Sequence, residues 1–203
     1  MKNLDMLKTG KKPAPGELVI IQGFVNTLDV ETGVDEIATE KQLKAWLSRC
    51  GLLRSGEEVS SKDLQTALSL RKALRFLLSA NNGEAVRPSS LKQLNHLLSQ
   101  FPLTVSCGTD GTPSLIPSGQ GMAGAFGLIL SQVVLAVNEG TWPRLKACSE
   151  PNCQWAFYDG SKNHSGRWCS MSVCGSRAKT RAYRRRRFVK RQTSGTRKEI
   201  SDC

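Results

Sequence analysis

Residues 148–187 read CSEPNCQWAFYDGSKNHSGRWCSMSVCGSRAKTRAYRRRR and contain the most informative pattern in the chain. Its four cysteines follow the pattern C-x4-C-x15-C-x4-C and are Cys148, Cys153, Cys169 and Cys174. Two close pairs separated by a loop of this length can place four thiolates at the corners of a tetrahedron, about 2.3 Å from a Zn²⁺ ion. Because such a closed shell leaves no position for water or substrate, the pattern predicts a structural zinc site. The alternatives are four unrelated buried cysteines or a redox pair.

Aromatic residues between the two cysteine pairs are predicted to form the core of this small module. They are Trp155, Phe157, Tyr158 and Trp168. A module of about thirty residues cannot bury enough surface to fold alone, so we expect the metal to supply its stability. In the alternative interpretation, one of the rings stacks on an exposed nucleic-acid base. His164 is predicted to be a surface residue, because four cysteines already complete the shell.

Positive charge is concentrated at the C-terminal end of the chain. The protein has 203 residues, a net charge of +12 and a pI of about 9.7. Residues 175–203 contain 11 Lys and Arg against two acids, a local charge of +9 that leaves only +3 for residues 1–174. This asymmetry predicts contact with nucleic acid. An anionic membrane surface is the weaker interpretation, because the segment lacks the broad apolar face of an interfacial helix.

A helix is predicted to carry these charges from an N-cap at Ser170 to about Gln192. At 100° per residue, one face is predicted to make the closest contacts with nucleic acid. That face consists of Arg177, Arg181, Arg184 and Arg185. The other basic residues are predicted to add long-range attraction and phosphate contacts. They are Lys179, Arg186, Arg187, Lys190 and Arg191. The alternative is a solvated, partly frayed tail, since consecutive arginines repel one another.

The chain before the cysteines is predicted to be mainly helical. A capping box at Thr39–Gln42 predicts a helix that ends near Gly51. A second helix is expected from about Ser60 to Ala80. A third helix is predicted to begin at Ser90, where Gln93 completes a capping box, and to end before Pro102. Its buried residues are predicted to be Leu91, Leu94 and Leu98. Residues 17–30, ELVIIQGFVNTLDV, fit a helix or a strand, and both interpretations stay open.

Two further segments complete the predicted fold. Apolar residues alternate over residues 103–117 around a Gly-Thr-Asp-Gly turn, which predicts a short hairpin. Residues 122–137 are apolar nearly all round, which predicts a central core helix or a subunit interface. The predicted fold class is mainly α with a short β-hairpin (α+β). It has a helical N-terminal domain, then a small treble-clef-like zinc finger with four cysteine ligands and a basic C-terminal helix.

The remaining reactive residues predict no enzyme. The N-terminus lacks the apolar stretch of a secretory signal, so we expect a cytoplasmic protein that does not associate with membranes and whose thiols are reduced. Cys50 and Cys107 are predicted to be core thiols, and Cys203 an exposed one. The chain has two histidines, His96 and His164. No nucleophile–base pair, phosphate-binding glycine loop or open metal site can be named among these residues.

The segment quoted above resembles the CGNR-type zinc finger, a family named for the tetrapeptide at its fourth cysteine. The region before it, with F-V-N-T at residues 24–27 and its leucine pattern, resembles the ABATE domain that usually precedes this finger. The resemblance implies a bacterial protein of a stress-induced transcription regulator family, with a helical N-terminal domain and a DNA-binding finger. It implies the same four zinc ligands and makes Arg177 the family arginine. Ser176 stands where the family name has asparagine, so a hydroxyl of shorter reach replaces a carboxamide.

These patterns divide the chain into four parts. They are a flexible segment at residues 1–16, an ABATE-like domain at 17–143, the finger with its basic helix at 144–192 and a disordered tail at 193–203. The N-terminal domain is expected to sense a small-molecule effector or to form a homodimer. Asn26 and Thr27 are candidates for lining an effector pocket, the alternative being hydrogen bonds to the local backbone.

The function predicted from the sequence is a transcriptional regulator that binds double-stranded DNA through its finger and arginine-rich helix. One alternative is an RNA-binding factor that stacks bases on Trp155 or Trp168. Another is a protein-interaction module whose zinc is structural and whose basic tail meets an acidic partner.

Overall fold

The structure, a computed structural model, describes residue 7 and residues 12–196, with side-chain surroundings up to residue 188. The chain divides into two compact units, residues 1–169 and residues 170–203. Some predictions concern residues outside the described ones. They are the predictions for most of residues 1–11, for the side chains of Lys190 and Arg191, and for Cys203.

The segment that fitted both helix and strand is helix α1, Leu18–Asn26. Its apolar side chains are buried on almost every side, and Val19, Ile21 and Phe24 have no exposed surface. The Phe24 ring packs on the Trp46 ring, with centroids 5.5 Å apart. Burial within a helical core therefore overrides the weak preference of β-branched residues for strands.

Helices α2, Glu40–Arg49, and α3, Ser61–Asn81, confirm the predictions for these segments. The Thr39 hydroxyl accepts a hydrogen bond from the Gln42 amide and so caps α2. At α3 the capping box is complete, because Ser60 accepts from the Asp63 amide while the Asp63 carboxylate accepts from the Ser60 amide. The two helices supply much of the core around α1.

Helix α4, Pro88–Leu98, begins earlier than predicted. Pro88 occupies the first helical position, where its fixed φ and missing amide hydrogen carry no penalty. Ser90 consequently lies inside the helix, and the predicted capping box at this position is wrong. Burial of Leu91 is also wrong, since 40% of this residue is exposed, whereas Leu94 is buried as predicted.

Two antiparallel strand pairs are present in the described residues. Strands β1, Leu103–Cys107, and β2, Pro113–Pro117, confirm the predicted hairpin. Strand β2 packs against the next helix, whereas β1 lies on the outside, so Cys107 is exposed and its prediction as a core thiol is wrong. Cys50 is buried as predicted. Strands β3, Leu145–Ala147, and β4, Ala156–Tyr158, form a second pair that the sequence did not reveal.

Helix α5, Gly121–Asn138, is the apolar helix predicted for this region. A Cβ atom on Gly127 would lie 2.7 Å from the Cβ of Pro117, so glycine is required where α5 crosses β2. Its first half is buried in the core, but Val134, Leu135 and Val137 are exposed, so the prediction of a central core helix is wrong for its second half. Within the described residues, α5 is the one helix long and apolar enough to cross a bilayer by length and composition.

Two buried arginines of α3 hold the loop that follows α1. Arg71 makes a bidentate ion pair with Asp35, at 2.6 and 2.7 Å, and donates a third bond to the Thr27 hydroxyl. Arg75 donates to the carbonyl oxygens of Val25 and Leu28, at the end of α1. Burial alone would raise the pKa of Asp35, but the hydrogen bonds and positive charge around the carboxylate lower it.

Candidate zinc centre and basic helix

The structure brings the four predicted zinc ligands together. The Sγ atoms of Cys148, Cys153, Cys169 and Cys174 all lie within 4.8 Å of one another, and all four residues are buried. Tetrahedral coordination with Zn–S bonds of about 2.3 Å requires sulfur–sulfur distances of about 3.8 Å. The Sγ atoms of Cys153 and Cys169 are 3.7 Å apart, which fits that requirement. The cluster is therefore a structural zinc site with a closed set of four thiolates.

The strand pair β3–β4 and the turn between its strands position the first two ligands. Cys148 follows β3 directly, and its amide donates to the carbonyl oxygen of Trp155 at 2.9 Å. The Cys153 amide donates to the carbonyl oxygen of Glu150 at 2.9 Å, which closes the turn that carries both thiols. Gln154 adopts a left-handed backbone conformation with φ of 51°, which returns the chain to β4. The backbone thus presents both sulfur atoms to one point.

Mutual hydrogen bonding shifts the pKa values of the clustered thiols in opposite directions. Hydrogen bonds from Cys153 and then Cys169 lower the pKa of Cys148 to about 2. The hydrogen bond to Cys148 raises the pKa of Cys153 to about 12. Hydrogen bonds to Cys148 and Cys153 raise the pKa of Cys169. The first anion is stabilised by its donors and opposes the next ionisation. A divalent cation supplies the positive charge that allows all four sulfur atoms to bind as thiolates.

A buried ion pair organises the loop between the second and third ligands. Lys146 on β3 donates to the Asp159 carboxylate at 2.8 Å and also to the carbonyl oxygens of His164 and Gly166. Asp159 accepts further bonds from Ser161 and from the Gly166 amide. Burial alone would raise the pKa of Asp159, but these hydrogen bonds outweigh it and leave the pKa well below its usual range. The loop that leads to Cys169 is therefore closed by one charged centre.

Side-chain amides of the helical region bind the backbone of the strand pair. Asn26 accepts from the Ala156 amide at 2.7 Å and donates to the Ala156 carbonyl oxygen at 2.9 Å. Asn82 donates to the carbonyl oxygens of Ala147, one residue before the first ligand, and of Arg167, two residues before the third. Gln22 and Asn81 add further bonds of this kind. These amides satisfy backbone groups that the two three-residue strands and their connecting loops leave without a backbone partner.

Residues 12–14 also pack against this region, although residues 1–16 were predicted to be flexible. Ala14 is buried, and its amide donates to the Gln22 side chain at 2.6 Å. The Lys12 ammonium lies 4.9 Å from the centre of the Phe157 ring and donates to the carbonyl oxygen of Trp168. The prediction therefore fails at the end of that segment, because the segment has polar partners that come from distant parts of the chain.

The aromatic residues of the finger differ in burial. Phe157 is fully buried, whereas Trp155, Tyr158 and Trp168 are half-buried. The predicted aromatic core is thus centred on one ring. His164 is exposed with φ of 50°, which confirms its prediction as a surface residue.

Asn26 and Thr27 were candidates for lining an effector pocket, and the structure gives both of them bonds within the protein. The Thr27 hydroxyl donates to the carbonyl oxygen of Phe24, three residues earlier, and accepts from Arg71. Asn26 binds Ala156 as described above. The pocket at these two residues stays a prediction.

The second unit begins with the predicted N-cap. The Ser170 hydroxyl accepts a hydrogen bond from the Val173 amide, and one π-helical turn follows at Met171–Gly175. Helix α6, Ser176–Thr196, then continues beyond the predicted end at Gln192 and into the predicted tail. The ligand Cys174 lies in the π-helical turn, so the metal site and the start of the basic helix share one segment of chain.

The basic side chains of α6 are exposed wherever the structure describes them. Seven lie between residues 176 and 188, a stretch without an acidic residue, and they are Arg177, Lys179, Arg181, Arg184, Arg185, Arg186 and Arg187. The Arg187 guanidinium lies 5.8 Å from the centre of the Tyr183 ring, one turn away. Only Ala178 and Ala182 are half-buried in this stretch. The helix therefore displays a dense positive surface.

Comparison with known families agrees with this architecture. Residues 144–187 match the family model of the CGNR zinc finger. Residues 20–136, more than half of the chain, match the ABATE family model, described as "Putative stress-induced transcription regulator". No curated protein matches the chain. Both resemblances seen in the sequence are confirmed, and the chain belongs to the ABATE family, with a CGNR zinc finger after its helical domain.

Proposed function

We propose that this protein is a transcription regulator that binds double-stranded DNA through α6. The observation that supports this most directly is the set of seven exposed basic residues between residues 176 and 188, a stretch whose sequence contains no acidic residue. Nucleic acid is the polyanion that such a surface attracts most strongly, because each neutralised phosphate releases bound counterions. Membership in a regulator family points to the same partner.

The basic residues on the two faces of α6 would make different contacts with DNA. Arg177, Arg181, Arg184 and Arg185 share one face, which can lie along a groove and its edge. Guanidinium groups bind phosphate or the O6 and N7 atoms of guanine in bidentate fashion, so this face would supply both affinity and base contacts. The charges on the opposite face would contact flanking phosphates and speed association. Zinc would have a structural role: it would stabilise the finger and hold the start of the helix.

The helical domain would then regulate DNA binding rather than catalyse a reaction. Several of its buried polar groups already have partners within the protein, as in the Arg71–Asp35 pair and the side-chain amides that bind β4. We propose that this domain senses an effector or forms a homodimer, and that the protein acts in the cytoplasm.

A salt titration with duplex DNA tests the proposal. If α6 neutralises about five phosphates, log affinity should fall with log salt concentration at a slope of roughly −4 to −5. Replacing Arg184→Gln and Arg186→Gln together should make the slope shallower by about 2. The control is Lys41→Gln with Lys92→Gln, a pair of exposed charges of the helical domain, which should leave the slope unchanged. A slope near zero for the wild-type protein would contradict the proposal.

An RNA-binding function is the second candidate, because Trp155 and Trp168 are half-buried and Tyr183 and Phe188 are more than half exposed. Exposed rings can stack on unpaired bases. Competition among duplex DNA, single-stranded DNA and structured RNA separates the two functions. Preference for unpaired strands, lost in Trp168→Ala, would favour RNA.

A further inference from the structure

A cavity of about 390 Å³ lies between α3 and α4, and no residue of the finger lines it. Residues 69, 72, 73 and 76 of α3 and residues 90, 93, 94 and 97 of α4 form its walls. The spacing i, i+3, i+4, i+7 places each set on one face of its helix. The space remains open because Leu94 is the only residue of α4 that is buried. Pockets for small molecules have volumes of about 300–1,000 Å³, so the cavity is large enough for one.

The cavity has an apolar floor. Leu94 is buried, and Ala73, Phe76 and Leu97 are half-buried. The Phe76 ring and the two leucines offer a surface on which a flat apolar ligand loses contact with water.

The rim of the cavity is polar and carries no carboxylate. Its polar side chains are Ser69, Lys72, Ser90, Gln93, His96 and Gln100. Within the part of the chain that the structure describes, none of these six side chains makes a hydrogen bond or an ion pair. All six can donate a hydrogen bond, and the Lys72 ammonium adds a positive charge. A ligand with an anionic group would therefore find donors and meet no repelling charge.

We propose that this cavity binds a small aromatic anion. The ring would lie on the floor formed by Phe76 and Leu97, and the anionic group would accept hydrogen bonds from Lys72 and the neighbouring donors. This inference does not rest on DNA binding, because the site is complete within α3 and α4. The aromatic anion would be the effector that the helical domain senses, bound between α3 and α4.

The test uses the full-length, zinc-loaded protein with 2-naphthoate as the probe and neutral 2-naphthamide as its matched control. Binding is followed by ligand-observed NMR and by fluorescence titration. We expect one site per chain and an affinity for the acid about five times that for the amide, as an exposed ion pair gives. Equal affinities, or no binding of either compound at millimolar concentration, would overturn the proposal.

Two variants locate the site. Lys72→Gln should remove the preference for the acid and leave the affinity for the amide unchanged. Lys62→Gln is the control, because this exposed lysine lies on α3 outside the cavity. Ala73→Phe should fill the floor and abolish binding of both compounds. Zinc content and thermal unfolding establish that each variant is folded. A folded Lys72→Gln or Ala73→Phe protein with wild-type binding would place the ligand elsewhere and overturn the assignment.

Discussion

Different forces stabilise two regions of the molecule. One region is the strand pair with its loop, residues 145–169, and the other is the helical domain, residues 18–138. The helical domain buries large apolar side chains, among them Phe24, Trp46 and Phe126. In residues 145–169 Phe157 is the one large aromatic side chain that is fully buried, and thiols, the Lys146–Asp159 pair and backbone atoms bound by side-chain amides are buried beside it. A short segment with so few large apolar side chains depends more on directional contacts, and each of these is costly to lose.

Removal of zinc should have the largest effect and should separate the two regions. Structural zinc contributes about 10 kcal/mol or more to the folding of small modules, so residues 145–175 should unfold when a chelator removes the metal. Helices α1–α3 should keep their protection in hydrogen exchange measured by mass spectrometry. Cys169→Ser should act like the chelator, whereas Cys107→Ser, an exposed cysteine outside the cluster, should retain one zinc per chain. Equal loss of protection in α1 would show that the regions do not differ in this way.

Loss of the buried ion pair should have the next largest effect. The side chains of Lys146 and Asp159 are 6% and 2% exposed, so Lys146→Met leaves a buried carboxylate without its partner. We expect a destabilisation of about 3–5 kcal/mol in urea unfolding. The exposed pair Lys44–Glu58 has a similar distance of 2.7 Å, and Lys44→Met should cost less than about 1 kcal/mol. If both variants cost the same, burial would not be the deciding property.

Asn82→Ala should weaken the bonds between the two regions. The variant removes the donor for the carbonyl oxygens of Ala147 and Arg167 and leaves them without that partner. A loss of about 1–3 kcal/mol is expected, with faster hydrogen exchange confined to residues 145–169. Asn95→Ala, at an exposed position of α4, is the matched control and should change neither measurement. Faster exchange throughout α3 would argue that Asn82 acts instead as the C-cap that stabilises this helix.

The pH dependence of stability should reveal the smaller contribution of Asp35. Its pKa is lower in the folded protein than in the unfolded chain, so its contribution is present above pH 4 and is lost as the pH falls below that value. Asp35→Asn should lower stability at pH 7 by about 1–3 kcal/mol. The difference between the wild-type and variant proteins in urea unfolding should then shrink between pH 5 and pH 3. A constant difference would show that Asp35 is not the group that titrates.

Much of the fold could be predicted from local chemistry. The cap at Thr39, the leucine spacing of α3 and the four cysteines are patterns within short segments, and the structure confirms what they predict. The predicted burial of Leu91 and Cys107 was wrong, because an amphipathic pattern shows which residues share a face but not whether another element covers that face. The preference of proline for the first helical position matches the observed start of α4 at Pro88, whereas the capping box predicted at Ser90 does not.

The contacts around the zinc site could not be predicted for a different reason. Strands β3 and β4 have three residues each, too few to show a period of two. Asn26 and Asn82 act on residues that follow them by 130 and by 65 or more positions. A sequence shows that such an amide is available for hydrogen bonding but does not identify its partner. The F-V-N-T segment was the one sign in the sequence that Asn26 has a special role. It suggested a contact with a ligand, whereas the structure shows hydrogen bonds to Ala156.

The pairing of Asn26 with Ala156 also bears on self-association. A lone two-stranded ribbon normally leaves unpaired amide and carbonyl groups along its outer border, where another chain can add a strand. The Asn26 amide occupies both groups of Ala156, as a neighbouring strand would. The Asn26 side chain, with Gln22 as a second donor to the same carbonyl oxygen, thus blocks the growth of the sheet by strand addition at this position.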